Sequence, residues 1–206
     1  MTTPKIDFTW TRAFARSPGE PAYECSHGKI RQVGRGKQQF SPFAQGDLFL
    51  EFSQLDGSEG ACVGFAEKWG LLEHHAYSKG ELPFEEISKW RAAIRTMKIN
   101  VRMLPQVIRI GNSRGTFAKV GKVDVLLVPG VGPGASPVLV MEPGDLLQAM
   151  NLQMAQFVAG GGVPSICREC GRAFGAGGAG KRSDAKFCSD SCRNRFHYSK
   201  QRKAKL

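Results

Sequence analysis

Four cysteines near the C-terminus constrain this chain more than any other feature: Cys167, Cys170, Cys188 and Cys192, spaced C-x2-C-x17-C-x3-C. Two close pairs joined by a loop are what a tetrahedral metal site needs. Each pair offers two thiolates from one tight turn, and the loop lets the pairs meet around one ion. The rival use of paired cysteines is a disulfide framework. The chain opens Met1-Thr2-Thr3-Pro4 with no apolar signal segment, and no run of about 18 apolar residues follows. The expectation is therefore a cytoplasmic chain with reduced thiols and one structural Zn2+ held by the four cysteines.

The charge distribution adds a partner class. The net charge is +11, and residues 160–206 carry 11 Lys/Arg against 3 Asp/Glu. Four thiolates on a divalent ion remove only about two charges from that tail, which stays basic and suits an anionic partner such as nucleic acid. The apolar fraction of 41% and charged fraction of 23% are those of a folded protein.

A boundary is expected at Ala159-Gly160-Gly161-Gly162-Val163-Pro164-Ser165, a glycine run closed by a proline. It divides the chain into a body (1–158), a linker (159–165) and a cysteine module (166–206). In the body, Phe84, Ile87, Trp90, Ile94, Met97, Val101 and Leu104 recur at helical steps, between Glu81-Leu82-Pro83 and Pro105. A second helix carries Cys62, Phe65, Ala66 and Trp69 and stops near Gly70. A third follows Asp145, with Leu146, Met150, Met154 and Phe157 on one face. Strands are expected at 6–11, 47–52, 116–120, 123–128 and 137–141, with Gly121-Lys122 as a hairpin turn. The body reads as an α+β domain with several helices and a small sheet.

Nothing in the body assembles a catalytic set. Cys62 lies on an apolar helical face as a buried thiol, and Cys25-Ser26-His27 and His74-His75 read as loop residues. The glycine-rich segment 129–134 lacks the helix start and Gly-Lys-Ser/Thr ending of a phosphate loop, and reads as a connection between strands. The expectation is that the protein is not an enzyme.

In the tail, Gly171 gives the first pair its turn, Phe174 and Phe187 cover the site, and Ser189 or Asp190 caps a helix carrying Cys192 and running to about Lys203. Cys192, Phe196 and Ser199 form its inward stripe. His197 is a spare donor that the four sulfurs leave unneeded. Arg193, Arg195, Lys200, Arg202 and Lys203 flank the stripe and are the candidate phosphate contacts.

The run Phe187-Cys188-Ser189-x-x-Cys192-Arg193-Asn194-Arg195 resembles treble-clef fingers with an FCS signature, and is similar to the CGNR zinc-finger family. Phe65-Ala66-Glu67-Lys68-Trp69-Gly70-Leu71-Leu72 and the Trp90 helix extend the likeness into the body. Arg193 stands where that motif has glycine, and the cysteine spacings are shorter. The resemblance implies an ABATE-like N-terminal domain before a small treble-clef-like zinc finger, in a bacterial transcription regulator. The functional expectation is then a DNA-binding protein whose body senses a ligand or partner. Two alternatives stand beside it: a finger that staples an interface with an acidic protein, and a thiolate-based metal or redox sensor. The long Trp90 helix offers a surface for a homodimer.

Overall fold

A computed structural model describes residues 5–6, 8–15, 17–44, 47–74, 82–110, 123–128, 138–177, 182 and 184–203. The chain is α+β, with short sheets around a helical core. In order the elements are β1 (Lys5–Ile6), β2 (Trp10–Phe14), β3 (Tyr23–Ser26), β4 (Lys29–Gln32), β5 (Gly36–Phe40), a 3-10 turn (Pro42–Ala44), α1 (Leu48–Ser53) and α2 (Glu59–Trp69). There follow β6 (Phe84–Glu86), α3 (Ile87–Ile110), β7 (Val123–Val128), β8 (Val138–Pro143) and α4 (Leu146–Ala159). The chain then forms β9 (Gly162–Ile166), β10 (Ala173–Gly177) and α5 (Asp190–Lys203). Strand pairing gives β1-β8-β7, β2-β5, β3-β4-β6 and β10-β9; β1 runs parallel to β8 and the other pairings are antiparallel.

Local chemistry explains where the helices begin and end. Ser58 caps α2 by accepting from Ala61 N at 3.2 Å, and Gly70 ends it at φ 92°, a conformation that favours glycine. Asp145 caps α4 by accepting from Gln148 N at 2.7 Å, while Gln148 Oε1 accepts from Gly144 N at 3.0 Å. In α3 the inward positions are Ile87, Trp90, Ile94, Met97 and Val101, all buried. They meet Phe49 and Phe52 of α1, Cys62 and Phe65 of α2, and Met150 of α4 in one aromatic-rich core.

Two carboxylates, buried Glu85 and half-buried Glu67, fasten the body together. Glu85 accepts from Leu72 N (3.0 Å), Glu73 N (2.6 Å), His74 N (3.2 Å) and Trp90 Nε1 (2.7 Å), tying the segment after α2 to the start of α3. Glu67 accepts from Ala22 N and Tyr23 N at 2.7 and 2.8 Å, tying β3 to α2. His27 and Gly28, at φ 52° and 71°, form the two-residue turn between β3 and β4, so Cys25-Ser26-His27 is hairpin rather than ligand set.

The structure corrects four sequence expectations. Residues 47–52 are not a strand. Leu48, Phe49, Leu50 and Phe52 are all buried, so the segment lacks a polar alternation and is the short helix α1. Phe84 belongs to β6, half exposed under the Lys29 ammonium at 4.3 Å, and the helix begins at Ile87. Pro105 does not close α3, which continues to Ile110 although proline costs an interior hydrogen bond.

The fourth correction concerns the glycine run. Residues 162–165, expected as a linker, lie in β9, paired through Gly162↔Gly177 to Ile166↔Ala173 with β10. A side chain at Gly162 would bring a Cβ within 2.5 Å of the Phe157 ring, and one at Gly175 within 3.0 Å. The glycines are therefore a seat for Phe157 of α4, and Gln54 of α1 donates to Ala173 O at 3.2 Å. The cysteine module is docked on the body through its hairpin. The expected strand 116–120, the turn at 121–122 and the segment 129–134 lie outside the described residues.

Candidate metal centre

The two cysteine pairs come from different local structures. Cys167 and Cys170 lie in the turn between β9 and β10. That turn closes with Gly171 N donating to Cys167 O and Cys167 N to Arg172 O, both at 2.9 Å, and Gly171 sits at φ 71°. Amides in this turn point toward the Cys167 sulfur. Cys188 precedes α5 and Cys192 lies in its first turn, where Ser189 Oγ accepts from Cys192 N at 3.2 Å. Ser189, not Asp190, is thus the cap. Arg168 N donates to Lys186 O at 3.0 Å, which ties the turn to the strand of chain returning to Cys188.

These elements bring the four sulfurs within 4.8 Å of one another. Cys170 and Cys188 Sγ are 3.6 Å apart, and Cys188 and Cys192 Sγ 3.5 Å. Sulfurs about 2.3 Å from one tetrahedral ion sit about 3.8 Å apart, so the spread fits a single ion bound by all four. The cysteines are not joined as disulfides. Cys167 and Cys192 are buried, Cys188 is half-buried and Cys170 is exposed. Phe174 and Ala176 of β10 complete the small core, with Phe187 against it.

The protonation bias favours thiolate on both sides of the site. Burial pushes Cys167 up, but the amides of Cys170, Cys188 and Glu169 outweigh it and bring the thiol down to about 6. Cys192 is lowered by the Ser189 hydroxyl and the Arg195 guanidinium. Cys188 is pushed up to about 12 by burial and by the neighbouring thiols with which it shares protons. Four thiolates this close together would need a cation among them, which a divalent ion would supply. With four protein donors, the site has no open coordination position for water and is structural in kind.

The basic residues expected on α5 divide. Arg195 Nη2 donates to Cys192 Sγ at 3.3 Å, so its guanidinium belongs to the sulfur cluster. Arg193 pairs with Asp190 at 3.3 Å and stays exposed. Lys200, Arg202 and Lys203 lie on the last turn of α5, with side chains outside the described residues. On the expected inward stripe, Phe196 meets Phe187 at 5.2 Å, but Ser199 is exposed and bonds back to Phe196 O. Polarity at this position reflects a helix that rests on the site only by its first two turns. His197 contacts the Phe187 and Phe196 rings and takes no part in the sulfur cluster.

Sequence reasoning missed the Arg195 contact, whose only signal is the i, i+3 spacing from Cys192. Elsewhere the structure answers the body's open questions. Cys62 is fully buried, and burial pushes its thiol up to about 11, which makes it inert. Trp69 and Trp90 are core residues. His74 lies exposed beside Glu85, its Nδ1 3.2 Å from Oε1, and His75 lies outside the described residues. Among the described residues, the four cysteines are the one group of three or more potential donors that converges, and no helix is long and apolar enough to cross a membrane. No family model, curated protein or solved structure matches the chain.

Proposed function

We propose that the protein is a zinc-binding, nucleic-acid-binding protein in which the four-cysteine module presents α5 to DNA phosphates. Zinc is the ion that best suits four thiolates in a tetrahedral site without redox chemistry. The observation that carries the reading is the position of Cys192. The last metal ligand is also in the first turn of a helix bearing Arg193, Arg195, Lys200, Arg202 and Lys203, so one ion would order a helix that carries five cations. The resemblance to CGNR and FCS fingers supports the same reading, with regulation of transcription as the role and the body as its sensor.

Salt-titrated binding to labelled duplex DNA and to RNA, with the intact metal-loaded protein, tests this. With about five phosphate contacts the log–log slope is about −4.5 on duplex DNA, so affinity falls about 500-fold between 50 and 200 mM salt. Affinity that stays level across that range refutes the reading. Capture of an acidic protein that survives nuclease treatment, with no nucleic-acid binding, replaces it with the interface-staple reading. Zinc content of one ion per chain, lost in Cys188→Ser, tests the metal assignment.

A further inference from the structure

Between the cysteine module and the body lies an open cleft of about 1450 Å³, walled by α1, the second half of α3 and the β9–β10 hairpin. Three of its lining residues are Lys98 and Arg102 of α3 and Arg172 of the turn between β9 and β10. None of the three has an ion pair among the described residues, although Lys98 adds a minor attraction to the exposed Asp56 carboxyl, which hydrogen bonds from Ser58 chiefly hold below its usual range. The acids at the cleft are Glu51, which is occupied by Lys68 at 2.9 Å, and Asp47. Lys98 and Arg102 are one helical turn apart on the same face of α3, so both charges are held on a rigid element. Cys170 lines the same cleft, and its sulfur lies 3.6 Å from that of Cys188, the residue from which α5 departs.

We propose that this cleft extends the nucleic-acid interface from the metal module onto the body, with Lys98, Arg102 and Arg172 contacting the phosphate backbone. The inference rests on the nucleic-acid reading above and gives the body a direct part in it. Charge complementarity selects the occupant. Three cations lining one cleft with a single unengaged acid concentrate anions, and an open cleft of this volume suits a chain of phosphates rather than one enclosed group. The docked hairpin fixes the spacing between Arg172 and α3, so both segments meet one strand in a constant register.

The test is the Lys98→Gln/Arg102→Gln double variant in full-length, metal-loaded protein. Its binding to a labelled mixed-sequence DNA is titrated against salt beside the wild type. Losing two phosphate contacts lowers the magnitude of the log–log slope by about 1.8, so the affinity lost between 50 and 200 mM salt shrinks about 12-fold. Arg102 is exposed, Lys98 is half-buried and both lie outside the metal site, and unchanged metal content and melting temperature confirm an intact fold. A variant slope equal to that of a wild type that binds overturns the inference and leaves the function reading standing. Wild type that binds no nucleic acid overturns both. A variant that keeps the DNA slope but loses a thermal shift given by inorganic pyrophosphate assigns the cleft to a small anion, and also overturns the inference. Arg172→Gln alone should lower the slope by about 0.9, giving an independent reading from the other wall.

Discussion

Removing the metal should melt α5 and leave the body folded. The magnitude follows from what the module buries. Its core holds Cys167, Phe174, Ala176 and Cys192, with Phe187 half-buried against them. Two phenylalanine rings contribute about 5 kcal/mol of burial between them. Ordering the 14 residues of α5 costs about 17 kcal/mol at about 1.2 kcal/mol per residue. The deficit of about 12 kcal/mol lies within the roughly 10–16 kcal/mol that a structural zinc site supplies. A helix of this length and polarity does not hold itself in water. The assay is titration of the reduced protein with a strong chelator, following ellipticity at 222 nm and released metal together. The helical signal should fall by roughly a fifth, the share of α5 among the five helices, while the tryptophan emission of the buried body residues stays fixed. Full release of the metal with unchanged ellipticity would refute the argument that the ion orders the helix.

Three further outcomes test the scaffold. Glu85→Ala strands the buried Leu72 amide and Trp90 indole as well as the partly buried Glu73 and His74 amides, and should cost about 3–5 kcal/mol in urea unfolding, with Glu85→Gln costing less. Gly162→Ala drives a methyl into the Phe157 ring that seats the hairpin, and should cost about 1–3 kcal/mol, a loss that Phe157→Leu in the same chain partly restores. Burial pushes the Tyr23 hydroxyl from 10.0 to about 12, with the Ala13 amide opposing. A raised folded value means the contribution is complete below pH 10 and is lost as pH rises through 12, about 2.7 kcal/mol in all. Stability of the wild type against urea should therefore fall between pH 10 and 12, and Tyr23→Phe should lack that part of the slope.

The cysteine spacing and the helical periodicity of α2, α3 and α4 were legible because each rests on short-range rules: turn chemistry, capping and a 3.6-residue repeat. The capping roles of Asp145 and Ser189 follow from the same rules. What escaped was set by tertiary contacts. Residues 48–53 are buried on nearly every side, so their apolar run carries no period to separate helix from strand. The glycine run 160–162 has the composition of a tether, yet the missing side chain of Gly162 makes room for Phe157, a residue of the neighbouring helix. Composition reports the freedom of a glycine, but not whether a neighbour has claimed the space. Pro105 likewise marks a local cost that does not end α3.

Arg195 shows why a basic helix cannot be read as a row of equivalent phosphate contacts. Four thiolates around a divalent ion leave about two negative charges in a small volume, and the Arg195 guanidinium lies 3.3 Å from one of those sulfurs. Its attraction to the cluster competes with its attraction to a phosphate. Arg193 is drawn to Asp190 in the same way, although at a solvent-exposed pair where the competition is weak. On the body side, Lys98, Arg102 and Arg172 have no ion pair among the described residues. Cys170 is the exposed member of the sulfur cluster and lines the same cleft, so a metal-loaded four-thiolate site would present its negative charge beside them. On the nucleic-acid reading proposed above, phosphates would therefore be favoured beside Cys170 and not directly upon it.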